Sequence, residues 1–350
     1  MKNTLIVNGR FICERMTGVQ RTAWEILRAM SQIDNVNILV AVPKKAVDIS
    51  ALPHLDNVEY IPIGRFKKNM WEQVSLPRYC KKAGFPLLNM CNIAPSRYRS
   101  HVILHDIRCI DNKSYDSFKF RLYFKILLKS YIYKCKSIFT VSDYSKGRIL
   151  ANYPKLKEDN VNVICNGYEH ILRDGESEIP NLPESFYLSV GSVMRHKNFD
   201  YIMRLAERNR DKNFVIVGNR DVSYEEYLNE HKIDNCIFTG HLSNEQLVFL
   251  YKKCKGFILP SLYEGFGIPP LEAIALGCRN IYLSDIPVFR EIYDGCAKFF
   301  DPNNYENPID LDDDIGDFDE TAFEKLLEKY TWTNSAKTIL SNIFNECGRE

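Results

Sequence analysis

The sequence predicts an α/β protein of two doubly wound, parallel-sheet domains facing each other across a cleft. Three observations predict it. Short apolar runs alternate with amphipathic stretches along the chain, as parallel strands covered by helices on both faces require. The alternation comes in two successive sets, and 350 residues suffice for two separate cores. Between the sets, residues 170–183 are rich in Asp, Glu, Ser, Asn and Pro, the composition of a boundary.

In the first set, Leu5-Ile6-Val7, residues 36–42, Val102-Ile103-Leu104 and residues 137–141 read as strands, with helices over 18–31 and 117–134. In the second, strands are expected at 186–190, 214–217, 236–238 and 257–259. Helices there are expected at 198–208, 243–253, 270–275, 287–291 and 321–330. The expected domains are 1–170 and 184–317, with helices of 318–350 crossing back to the first.

Composition narrows the class. Hydrophobic residues at 45% and aromatics at 12% describe a packed globular chain, not a disordered one. No long uncharged apolar run spans a membrane, and the first eight residues read as a strand, not a signal peptide. Eleven scattered cysteines without a Cys-x-x-Cys pair argue against a disulfide framework or a zinc site, and fit reduced cytosolic thiols. The net charge of +1 hides a division: residues 1–150 carry 25 Lys and Arg against 11 Asp and Glu. A basic first domain points to an anionic partner, either a membrane or a pyrophosphate-linked lipid. Nucleic acid is not expected, because no recognised binding motif is present.

The most informative stretch is Glu264-Gly265-Phe266-Gly267-Ile268-Pro269-Pro270-Leu271-Glu272, which follows the apolar run Gly256-Phe257-Ile258-Leu259. Proline suits a first helical turn, where its missing N–H is no loss. The segment therefore reads as strand, tight glycine loop and helix. Glycines let backbone amides approach a ligand closely, and a helix start presents unpaired N–H groups that favour phosphate. A carboxylate accepts hydrogen bonds from vicinal hydroxyls. Glu264 and Glu272 could thus hold the two sugars of a nucleotide-sugar, with amides on the diphosphate between them. Without a ligand, the same residues would be a capping acid, a dipole-favoured acid and two turns.

Other segments are less specific. Gly191-Ser192-Val193-Met194-Arg195-His196-Lys197-Asn198 leads from a strand into a helix, where Arg195 and Lys197 could neutralise a diphosphate without metal. Gly18 lies between the first strand and helix, and His105 ends a strand, as a ligand to a hydroxyl or as a structural residue. The helix over 117–134 sets Arg121, Lys125 and Lys129 beside Phe120, Tyr123, Phe124, Leu127 and Leu128; a core face with a solvated basic back is the default expectation, membrane contact the alternative. The acidic run Asp310, Asp312, Asp313, Asp314, Asp317, Asp319, Glu320 contains the letters of a metal motif but precedes a helix, so it reads as solvated charge.

With these motifs together the chain resembles a family 4 retaining glycosyltransferase of the GT-B fold, with two Rossmann-like domains. The resemblance rests on 191–198, Phe238-Thr239-Gly240, residues 260–273, Ser284-Asp285-Ile286-Pro287 and Tyr330-Thr331-Trp332. Met16-Thr17-Gly18-Val19-Gln20-Arg21 and Trp71-Glu72-Gln73-Val74-Ser75-Leu76-Pro77 are similar to members that build bacterial surface polysaccharides.

The resemblance implies a nucleotide-diphosphate sugar donor, retained anomeric configuration, no cofactor and no metal, with the acceptor on the first domain. It implies a glycan acceptor, lipid-linked, at the inner face of the plasma membrane. Under it, Glu264, His105 and Lys197 are catalytic. Gly18, Arg195, Phe266, Gly267, Ile268 and Glu272 bind substrate. The arginine common after the strand glycine is replaced by Ser192, and Arg195 is the candidate to substitute for it. A GT-B phosphorylase, a sugar-nucleotide epimerase or a non-enzymatic nucleotide-sugar sensor would share the architecture.

Overall fold

The structure, a computed structural model, describes residues 2–44, 46–112, 115–192, 194–218, 226, 230–311 and 319–347. Val193 and Asp312, Asp313, Asp314 and Asp317 of the acidic run lie outside them. The chain divides into two compact units, Met1–Asn166 with Thr331–Glu350, and Gly167–Tyr330.

The first unit holds a seven-stranded sheet in the order β3-β2-β1-β4-β5-β6-β7. Its strands are β1 (Asn3–Asn8), β2 (Val36–Pro43), β3 (Val58–Ile63), β4 (Leu87–Asn89), β5 (His101–Ile103), β6 (Ile138–Thr140) and β7 (Val161–Val163). All neighbours are parallel. The central β1 buries Leu5, Ile6 and Val7 fully, because helices cover both faces of a parallel sheet. Order reverses between β1 and β4, where doubly wound sheets open a crevice beyond the strand ends.

The second unit repeats the plan with six parallel strands, β10-β9-β8-β11-β12-β13. They are β8 (Tyr187–Val190), β9 (Phe214–Val217), β10 (Cys236–Gly240), β11 (Gly256–Leu259), β12 (Ile281–Ser284) and β13 (Lys298–Phe300). Here the reversal lies between β8 and β11, which pair through Gly256 with Tyr187 and Phe257 with Leu188. Gly256 has a packing reason: a Cβ would lie 3.1 Å from the Tyr187 ring and from the Asn280 carbonyl.

Five strands have no counterpart in the sequence reading: β3, β4, β7, β12 and β13. β3 contains Pro62 and is only partly buried, as an edge strand is. β4, β7 and β13 are three residues long, too short for a period to register.

The helix Phe118–Tyr131 departs from expectation in its environment. Only part of its apolar surface is a core face: Phe118 is 72% and Ile126 62% exposed, and Phe120, Leu122 and Tyr123 are about half exposed. Leu128 and Tyr131 are its buried residues, with Phe124 and Leu127 packed partly against them.

Candidate active site

Two loops leave the reversal point of the second sheet, one after β8 and one after β11. The first runs from Gly191 to a 3-10 turn, Arg195–Lys197, stopped by Asn198 in the left-handed conformation (φ 57°). Asn198 is buried, and its amide nitrogen donates to the carbonyls of Pro260 (3.1 Å) and Pro302 (2.9 Å). Tyr305 donates its hydroxyl to the Asn198 amide oxygen at 2.6 Å, which fixes which end of the amide faces which partner. The Leu262 N–H donates to the His196 carbonyl at 2.7 Å. The two loops are therefore clamped to each other at two points, and Asn198 ties both to the segment after β13.

The clamp brings Lys197 to Glu264. The ammonium donates to Glu264 Oε1 at 2.5 Å, and the Ser261 hydroxyl donates to the same oxygen at 2.8 Å. Burial opposes ionisation of Glu264, but the Lys197 charge and hydrogen bond, His196 and Ser261 outweigh it and hold the carboxyl below its ordinary value. Among the described residues Glu264 Oε2 accepts no hydrogen bond, and Lys197 uses one of its three donors. The pair therefore presents one carboxylate oxygen and two ammonium hydrogens for a ligand.

Beyond Glu264 the loop turns at Gly267 (φ 90°) into the helix Ile268–Ala275. The helix starts at Ile268, two residues before the expected Pro270, with both prolines inside its first turn. Tyr293 fixes the turn by donating its hydroxyl to the Gly267 carbonyl. Phe266 is buried edge-on against Tyr330, with ring centroids 5.3 Å apart. Only its backbone can serve a ligand. Among the described residues the N–H groups of Phe266, Gly267 and Ile268 have no hydrogen-bond partner. Three free amides at a helix start are what an anion needs.

Glu272 is buried one turn further on. His170 Nε2 donates to one of its oxygens at 2.7 Å and the Tyr251 hydroxyl to the other at 2.6 Å. Neither partner is visible in the sequence as a site residue, since a lone His in a linker and a Tyr on an amphipathic helix carry no periodic signal. Arg195 is exposed, and its charge is felt by Asp200.

In the first unit, His105 is buried and its Nε2 lies 3.1 Å from the Met90 carbonyl. A carbonyl only accepts, so Nε2 carries the proton and Nδ1 is the acceptor. Burial pushes the His105 pKa down, against the raising effects of Met90 and Asp106, so the ring is neutral. Gly18 opens the helix Gly18–Ser31; a Cβ there would meet nothing within 4 Å. Its neighbours therefore do not require glycine.

Comparison with known proteins agrees with this architecture. Residues 173–308 match the family model of glycosyl transferases group 1. The O-antigen chain mannosyltransferase RfbU of Salmonella typhimurium is 31% identical over 208 residues, 58% of this chain and 57% of that protein. The match thus spans little more than half of that relative's length. Among solved structures, sucrose-phosphate synthase from Thermosynechococcus elongatus superposes with a TM-score of 0.77 at 14% identity, covering 100% of both chains. HepE of Anabaena, solved with UDP and glucose, gives 0.67 at 13% identity over 98% of this chain and 99% of that one. Two parallel sheets, each with its reversal point, and the likeness to these solved structures lead to one conclusion: the chain has the GT-B fold, with the match to glycosyl transferases group 1 lying in residues 173–308.

Proposed function

We propose that this protein is a retaining, metal-independent glycosyltransferase that moves a sugar from a nucleotide-diphosphate donor to a lipid-linked glycan in surface polysaccharide biosynthesis. The observation that carries the proposal is the Lys197–Glu264 pair beside the free amides of Phe266, Gly267 and Ile268. The pair supplies what the donor needs. Glu264 Oε2 takes a hydroxyl of the transferred sugar; the amides and Lys197 take the diphosphate. As the glycosidic bond breaks, negative charge grows on the departing phosphate, and preorganised donors stabilise it without reorganising. Lys197 provides the positive charge that a metal would otherwise bring. Glu272, oriented by His170 and Tyr251, holds the ribose, and Arg195, exposed on the same loop as Lys197, supplies a second cation to the phosphates. His105 Nδ1 accepts from a hydroxyl, and the Gly18 amide approaches the diphosphate. Same-face attack, with the leaving phosphate taking the acceptor's proton, accounts for retention without a covalent nucleophile.

RfbU is described as a mannosyltransferase, which makes mannose the first candidate for the sugar. A thermal-shift series with UDP-, GDP-, dTDP- and ADP-sugars is expected to single out one mannosyl donor. At a hundredfold excess over Kd, binding adds about 2.7 kcal/mol of apparent stability. Uniformly flat curves would refute a nucleotide-sugar function. Donor hydrolysis without acceptor separates a transferase from a sensor.

The membrane part of the proposal is supported by the helix Phe118–Tyr131. Lys119, Arg121, Lys125 and Lys129 flank its exposed Phe118, Phe120, Leu122 and Ile126. Apolar side chains that enter an interface, with cations beside anionic headgroups, contribute about 1 kcal/mol per basic residue. The protein is expected to sediment with phosphatidylglycerol vesicles and much less with phosphatidylcholine. The double variant Phe118→Ser, Ile126→Ser should lose most of that binding; unchanged sedimentation would remove the helix from the membrane model.

A further inference from the structure

The reversal point of the first sheet, between β1 and β4, carries a site that the proposal above does not use. Asn8 ends β1 and Asn89 ends β4, and the Asn8 amide donates to Asn89 Oδ1 at 3.1 Å. Facing them is Glu72, on the five-residue π-helical turn Trp71–Ser75. Such turns recur at functional sites, because the wider winding displaces a side chain from helical register.

Both neighbours of Glu72 are anchors. Trp71 is fully buried and donates its indole N–H to the Ile63 carbonyl at 2.9 Å. The Gln73 amide donates to the Ala94 carbonyl (3.2 Å) and accepts from the Ser96 N–H (2.9 Å). Glu72 is thereby held with Oε1 accepting from Asn8 at 2.9 Å and Oε2 accepting from Arg10. Each carboxylate oxygen can accept two hydrogen bonds, so acceptor capacity remains on both.

We propose that the crevice at Glu72 binds a hydroxyl of the acceptor saccharide, with Glu72 as the residue that recognises it. Charge and size define the ligand. Arg10 is shared between Glu72 and Glu14 (3.1 Å), so two carboxylates face one guanidinium and a phosphate is disfavoured. A hydroxyl, which donates to a carboxylate, is favoured. The cavity between Asn8, Arg10, Phe11, Glu14, Glu72 and Met90 has a volume of about 30 Å³. A water needs about 10–15 Å³ by that measure, so the space takes a hydroxyl or hydroxymethyl arm and not a whole ring. The crevice also adjoins two residues of the proposed machinery. The Met90 carbonyl holds His105, and Glu14 is linked through Gln20 (3.0 Å) to Thr17, the residue before Gly18. A sugar seated by Glu72 therefore lies beside both.

The inference rests on the transferase reading, and the test separates the two. Saturation-transfer NMR on the full chain would use the methyl α-glycosides of mannose, glucose, galactose and N-acetylglucosamine as probes. Wild type is expected to bind at least one, and Glu72→Gln to weaken it at least tenfold while donor hydrolysis stays within twofold. Glu72→Asp keeps a carboxylate in the cluster but withdraws it by one methylene; it should retain wild-type stability and still lose the probe. No transfer from any probe to wild type, or equal binding by either variant, overturns the proposal. A loss of probe that only tracks a fall in melting temperature does the same. Failure of wild type to hydrolyse any nucleotide-sugar would instead count against the transferase, while the NMR still reads the crevice.

Discussion

Replacing Glu264 by alanine is expected to lower turnover at least about a hundredfold, because a displaced sugar forfeits the alignment that makes its reaction effectively intramolecular. The same change destabilises the fold. Lys197 would keep a buried ammonium whose side chain is 13% exposed, with its carboxylate gone. Breaking one half of such a pair costs about 3–5 kcal/mol. Urea denaturation beside a turnover assay separates the effects, and Glu264→Gln helps because an amide oxygen can still accept from Ser261. Wild-type turnover in folded Glu264→Ala protein would sink the assignment.

The pair also sets a pH dependence. Burial alone would raise the Glu264 carboxyl, but Lys197, His196 and Ser261 bring it below its ordinary value. A carboxyl lowered on folding contributes stability that is present above its unfolded value, about 4.3, and lost as pH falls through the folded value. Lys197→Met should remove the ammonium that opposes burial, raise the folded value toward or above the unfolded one, and so shrink or reverse this acid loss. An unchanged acid limb in a pH series of denaturation curves would mean that Lys197 does not govern Glu264.

Gly267→Ala is expected to be the most damaging single methyl in the second unit. The backbone there has φ 90°, which an L side chain rarely adopts, and a Cβ would lie 2.5 Å from Phe289 Cε1. Phe289 is fully buried and cannot swing aside. Conformational strain of about 1–3 kcal/mol adds to overpacking of about 1–3 kcal/mol. The turn that presents the Phe266, Gly267 and Ile268 amides would shift with it, so donor affinity should fall together with stability. Adding Phe289→Leu should recover the packing part and leave the conformational part. Wild-type stability and donor binding in Gly267→Ala would show that the turn is not under this constraint.

The sequence made the central strands legible because full burial leaves runs such as Leu5-Ile6-Val7 and Gly256-Phe257-Ile258-Leu259 without polar interruption. Edge strands escape that logic, since β3 and β7 have a neighbour on one side and tolerate Pro62 and Asn162. In the candidate site, Glu264, Gly267 and Glu272 stood out because glycine, acid and proline follow a strand at fixed spacing, and Lys197 stood out as a cation on the loop after another strand. Asn198 was legible as the end of a loop and not as its clamp. His170, Tyr251 and Tyr293 were not legible at all, because their roles depend on partners 102, 21 and 26 positions away.

By itself, then, the sequence determined the α/β class, the two successive sheets and the position of the candidate loops, because strand period, helix period and turn chemistry are local properties. Tertiary structure alone decided that Lys197 meets Glu264 across 67 positions, that Phe266 offers its backbone and hides its ring, and that the Phe118–Tyr131 helix leaves Phe118, Phe120, Leu122 and Ile126 exposed. Those outcomes depend on which strands become neighbours at a reversal point. Pairing between distant segments is set by the packing of the whole sheet, and no local pattern encodes it.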